Sequence, residues 1–305
     1  MLVRLTVAAV ALTVTSATAT AAFAAEANFD RTLTVTGPAT LSISTGSGYL
    51  HVYSGSGNQV HIVGHVHSRP GLFSGDSDQA VREIANNPPI VQSGNTITVR
   101  PPHDNDLYRN VAIDYDVTAP AASSLQASTG SGQIEVGGLQ GAVTANTGSG
   151  GIHVDNIGGN ARLQTGSGSI NATNVHGASN VQTGSGAISL AVTAPGDVRA
   201  QTGSGGMHLS GISGGLRADS GSGSVEIEGN PTSEWRVQTG SGGISIHLAP
   251  NARLNLQADT GSGGIRVDQP ITMQTSTNKH HISGSINGGG PTVRLSTGSG
   301  GITIR

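Results

Sequence analysis

The sequence predicts an all-β fold: a single-stranded β-solenoid (β-helix) with rungs of about 18 residues and an N-terminal β-rich cap containing a short helix. Three observations carry this expectation. A four-residue motif, T-G-S-G, recurs along the chain, and apolar residues keep fixed offsets from it. The composition is the third, with 47 Gly against 3% aromatic and 11% charged residues. Ordinary globular chains are roughly a quarter charged. Disordered chains combine high net charge with few β-branched residues, whereas here the formal net charge is -3 and Val, Ile and Thr recur at regular places. So much glycine therefore implies many tight turns.

From the N-terminus, residues 1–24 read as an export signal. Met1 to Arg4 is a short positive start, Leu5 to Val14 an apolar run, and Ala-Phe-Ala at 22–24 a small-x-small cleavage pattern. That run is too short for a retained transmembrane helix, and no second one follows, so no transmembrane segment is expected. The mature chain is expected in the periplasm, at the cell surface or secreted. Zero cysteines exclude disulfides, a thiol nucleophile and thiolate zinc sites. Near-neutral charge without an evident basic cluster argues against nucleic acid as a partner.

Residues 25–118 form the predicted strand-and-cap region, and 119–305 the repeat. Within the cap, Val60 to His67 alternates as a strand, and Asp76 to Asn86 resembles a short helix ended before Pro88. Two further strands follow at Asn95 to Arg100 and Asn110 to Val117. Solenoids require atypical end units, which gives residues 49–118 a capping role.

The motif opens first at Thr45, and from Thr129 it returns at Thr147, Thr165, Thr183, Thr202, Ser220 and Thr239 with spacings of 18 or 19. Later copies open at Thr260 and Thr297, and a degenerate rung around Thr277 to Ile286 is expected to fill the longer gap. Apolar residues sit two and four before each motif and five and seven after it, as in Ala145, Val143, Ile152 and Val154. Spacing by two places one strand face inward on each side of a turn. The motif glycines are expected to supply positive φ there, and Gly141, Gly159, Gly177 and Gly214 mark the return turn. The chain stops straight after the Ile302–Ile304 strand, which predicts an open edge and end-to-end self-association through the C-terminal rung.

The stretches NVAIDYDVTAP (110–120) and SLQASTGSGQIEVGGLQGAVTANTGSGGIHV (124–154) resemble the putative-adhesin β-strand-repeat family of bacterial envelope proteins. The ending SGSINGGGPTVRLSTGSGGITI is similar to that family as well. The resemblance covers roughly residues 30–305 and implies a β-solenoid and an envelope location. It supplies no catalytic motif, and the insertion at about 68–95 departs from the family pattern.

Candidate chemistry lies at outward positions. Glu135, His153, His208 and Glu226 each stand six residues after a motif opening, in a mixed polar column suited either to solvent or to a binding groove. Asn146, Gln164, Gln182, Gln201, Asp219, Gln238 and Asp259 immediately precede the motif, and stacked amides form hydrogen-bonded ladders. Asp219 and Asp259 are expected two rungs apart, about 9.6 Å, at the edge of the inverting-glycosidase range. His61, His65 and His67 share one strand face and are candidate metal ligands, against the plainer reading of a polar outer face. The motif Thr and Ser form a hydroxyl grid that could order water, ice or a glycan. No cofactor is implied. The sequence thus favours a non-enzymatic exported solenoid that contacts a glycan or an envelope protein. A carbohydrate-active enzyme on the same scaffold is the alternative, and ice binding a minor one.

Overall fold

The structure is a computed structural model that describes residues 25–68, 75–102, 106–108, 110–273 and 279–305. The export signal expected at residues 1–24 lies outside these residues. Each repeat unit folds into two strands joined by the T-G-S-G turn, so the solenoid has a two-sided cross-section. Strands before the motif, such as Val143–Thr147, Ala161–Thr165 and Ser179–Thr183, pair parallel and in register with their counterparts. Those after it, such as Ile152–Ile157 and Ile170–Val175, build the opposing sheet. Among the described residues the sheets contain 14 and 13 strands, counting the strands that close each end.

The core is the thin seam between them. Ile134, Ile152, Ile170 and Ile188 stack from one sheet, facing Ala127, Ala145, Leu163 and Val181 from the other, all at most 1% exposed. Parallel in-register stacking puts like residues on top of one another, about 4.8 Å apart. That spacing also explains the motif, although differently from the expectation. None of the motif glycines has positive φ; that conformation falls instead at Gly138, Asn156, Asn174 and Gly211, at the far end of the second strand. The motif glycines are required by close approach. A Cβ at Gly166 would stand 2.4 Å from the Gly148 carbonyl oxygen, and one at Gly168 1.9 Å from that of Gly150.

The motif threonine closes the turn and joins two rungs. Thr165 Oγ1 accepts from Gly168 N–H at 3.1 Å and donates to the Gly150 carbonyl of the preceding rung at 2.8 Å. The same pair of bonds recurs at Thr147, Thr183, Thr202, Thr239, Thr260 and Thr297, and Ser220 reproduces it with its own hydroxyl. Each of these hydroxyl-bearing residues is buried.

The first rung lies earlier than the regular period suggests. Thr40–Thr45 pairs with Ser124–Thr129, and Leu50–Gly55 with Ile134–Gly137. The cap combines the strand ahead of the first rung with the segment threaded between these two rungs. Val111–Pro120 extends one sheet and is followed by two antiparallel strands, Gln59–Ser68 and Glu26–Thr34. The helix Gly75–Asn86 buries Val81 and Ile84 in the hydrophobic core alongside them. A hairpin of Ile90–Ser93 and Thr96–Val99 closes the other sheet.

The far end corrects the prediction of a bare C-terminal edge. Thr292–Thr297 inserts between Trp235–Thr239 and Leu254–Thr260, while Ile302–Ile304 inserts between Ile244–Leu248 and Ile265–Val267. The last rung in sequence is thus an interior rung in space, paired on both sides. Nor is the stretch ending at Ile286 a degenerate rung: His281–Ile286 runs antiparallel to Leu254–Thr260 and pairs with Ile271–Met273, covering that end. Within the gap of 37 residues between Thr260 and Thr297, the strands Ile271–Met273 and His281–Ile286 carry the chain over the end of the stack.

Candidate ligand-binding faces

Alternation along each strand leaves two outer faces, and every candidate residue falls on one of them. On the sheet after the motif, Glu135 pairs with His153, and His208 with Glu226, in one outward column. The strands carrying Asn171 and Ser189 separate the two pairs. His208 Nδ1 lies 3.4 Å from Glu226, and His247 Nε2 3.7 Å from the same carboxylate.

Towards the cap this column continues through His51 to Asp116, giving a polar cluster that sequence offsets alone did not assemble. Asp116 accepts from Tyr49 Oη at 3.2 Å and meets His51 Nδ1 at 3.0 Å and His65 Nε2 at 3.2 Å. Tyr49 stacks on His51 with ring centroids 4.2 Å apart. Tyr53 donates to Glu135 Oε1 at 2.5 Å. Beside them a shallow cavity of about 380 Å³ is lined by Tyr53, Glu135, His153, Asp155 and Asn156. The hydrogen bond to Glu135 pushes the Tyr53 phenol up to about 12, with burial adding to it. Burial first, then Asp116, pushes Tyr49 up to about 12. The Thr173 hydroxyl, 2.5 Å away, holds the Asp155 carboxyl below its ordinary value.

His61, His65 and His67 do share the outward face of Gln59–Ser68, but they do not converge. His61 pairs with Asp30 at 2.8 Å, His65 with Asn28 and Asp116, and His67 approaches Asp114 at 3.7 Å. Among the described residues no three His, Asp or Glu side chains form a group that could hold a metal ion. The metal hypothesis is corrected accordingly: an extended strand spreads alternate side chains along its length, and each imidazole has a neighbour of its own.

On the opposite sheet the amide column is present, with Gln164 Nε2 donating to Gln182 Oε1 at 3.0 Å and Gln201 Nε2 to Asp219 at 3.2 Å. The inserted C-terminal rung corrects the acid pair. Register runs Asp219 to Gln238 to Ser296 to Asp259, three steps and not two. At about 4.8 Å per step the carboxylates are roughly 14 Å apart, beyond the glycosidase range of about 9.5 Å. Each also has its own partner, Arg217 at 2.9 Å for Asp219 and His281 at 2.6 Å for Asp259. The hydroxyl grid is corrected for its threonines, which are buried and spend their hydroxyls within and between rungs, whereas motif serines such as Ser149, Ser167 and Ser185 are exposed.

The same face holds what the sequence reading missed. Arg162, Arg199, Arg217, Arg236 and Arg294 each stand three residues before a motif opening, and register places them in one outward column. The last four occupy consecutive strands. Alignment of the units at this offset would have found them; a search for contiguous basic residues could not.

Among the described residues no helix is long and apolar enough to cross a membrane. No curated protein matches the chain. Solved structures resemble it over most of their length. A putative adhesin from Bacteroides fragilis is 14% identical, with 92% of this chain and 97% of that one covered and a TM-score of 0.44. A putative cell adhesion protein from Clostridium sporogenes is 13% identical, covering 92% and 98%, with a TM-score of 0.26. A putative lipid binding protein from Parabacteroides distasonis is 12% identical, covering 91% and 96%, with a TM-score of 0.30. The match that spans the repeat is to a family model covering residues 8–305, and it bears out the resemblance to the putative-adhesin repeat proteins. This two-sided β-solenoid belongs to the Toastrack DUF4097 family.

Proposed function

We propose that the chain is an exported, non-enzymatic contact scaffold whose outer faces bind a surface glycan or an envelope protein. One observation carries the reading. Inward positions repeat from rung to rung, whereas the outward column after the motif runs Glu135, His153, Asn171, Ser189, His208 and Glu226 and so presents a different side chain at each rung. Such a surface offers many weak, additive contacts to an extended partner. The acids that would serve a glycosidase, Asp219 and Asp259, lie three strands apart and each is engaged by a neighbour. Membership of a family of putative-adhesin repeat proteins accords with a role in contact.

A glycan array probed with the purified mature chain, run beside hydrolase and lyase assays on the same glycans, tests the reading. Saturable binding without turnover is the expected result. Turnover lost in Asp219→Asn would overturn it and restore the enzyme alternative.

A further inference from the structure

From the arginine column we infer that the outer face of the sheet preceding the motif binds a linear anionic polysaccharide, its carboxylate or sulfate groups lying along the solenoid axis. The inference rests on the contact-scaffold reading and assigns it a face and a ligand class. Arg162, Asn180, Arg199, Arg217, Arg236 and Arg294 succeed one another across paired strands, a run of about 24 Å. Beside this run lies a groove of about 780 Å³, lined among others by Arg162, Asn180, Arg199, Arg217 and Arg236.

The fold does not need these arginines. The same column carries Gln126, Thr144 and Gln257 in other rungs, so a neutral side chain fits the position. Like charges stacked directly opposite one another are destabilising, and four in succession mark a surface shaped by something other than stability. Neutralisation is incomplete. Asp219 pairs with Arg217, Glu234 with Arg294, and Asp197 in the groove accepts from Gly215 N–H. Arg199 reaches only the Gln201 amide oxygen, at 3.3 Å, and Arg162 and Arg236 make no hydrogen bond or ion pair with the described residues. Guanidinium groups suit carboxylate and sulfate through paired N–H donors.

Repetition selects a polymer over a compact anion, because evenly spaced cations match evenly spaced charges along a chain. A polysaccharide is favoured over single-stranded nucleic acid, which relies on aromatic side chains for base stacking. Among the described residues the face offers none: Trp235 is fully buried beneath it, and the exposed Tyr53 belongs to the other sheet. The adjoining Gln164, Gln182 and Gln201 add neutral donors and acceptors suited to sugar hydroxyls.

Equilibrium binding of the mature chain to polygalacturonate and dextran sulfate, across a salt series, is the test. Neutral dextran, polyglutamate and a single-stranded oligodeoxynucleotide serve as competitors. The expected result is binding to the anionic polysaccharides that weakens as salt rises. Arg199→Gln with Arg236→Gln should lower affinity about tenfold per residue, whereas Gln257→Arg, which extends the column, should raise it. Glutamine already occupies this column, so folding should survive, and Trp235 fluorescence reports it. Unchanged affinity in the double variant, or preference for polyglutamate or the oligonucleotide, overturns the assignment. If the array still shows other glycans bound without turnover, the contact reading survives that failure. If no probe binds at all and turnover appears, both fall.

Discussion

At the scale of single residues the motif is a device for stacking rungs closely. The threonine is itself buried, and it satisfies one backbone donor in its own turn and one carbonyl in the preceding rung. Thr183→Val keeps the shape and removes both bonds, leaving Gly186 N–H and Gly168 C=O without the hydroxyl. A loss of about 2–3 kcal/mol is expected in urea unfolding. Thr183→Ser should cost under ~1 kcal/mol, because Ser220 already makes the same two bonds in its own rung. A second prediction concerns the outer face. The Tyr53 phenol is raised from 10.0 to about 12, chiefly by Glu135. The neutral phenol is therefore favoured in the folded state. That contribution is complete below the ordinary value of 10.0 and lost as pH rises through about 12. In Glu135→Gln, tyrosinate absorbance should appear at lower pH than in the parent chain; coincident titrations would refute the pairing.

Strands and rungs explain the order in which the chain is threaded. Ile302 is 1% exposed, held between Ile244 and Ile265, whereas Ile265 lies on the outermost strand of that sheet and is only half-buried. Ile302→Ala is expected to cost about 2–5 kcal/mol, and Ile265→Ala clearly less, by urea denaturation. A bare terminal edge would reverse that ranking. The repeat unit was legible because inward residues recur at fixed offsets from Thr. The detour between Thr260 and Thr297 was not, because parallel pairing has the same local pattern whichever rung is the neighbour. Only long-range register decides that Ser296 stands between Gln238 and Asp259.

For the whole molecule, a net charge of -3 conceals separated surfaces. Histidines, acids and tyrosines gather near the cap on one sheet, and arginines line the other. Composition averages over both. Glu135, His153, His208 and Glu226 are legible in the sequence as one column, but His51 and Asp116 extend it, with Tyr49 against them, through chain segments far apart in sequence.

The sequence by itself determined the β-solenoid, the rung length and the inward columns, because those follow from local alternation and from a turn that only glycine permits at this spacing. The tertiary structure decided which rung is last, how far apart the two acids lie, and that five scattered arginines share a line. Those depend on register between distant strands, where local pattern carries no address and backbone pairing across the stack supplies it.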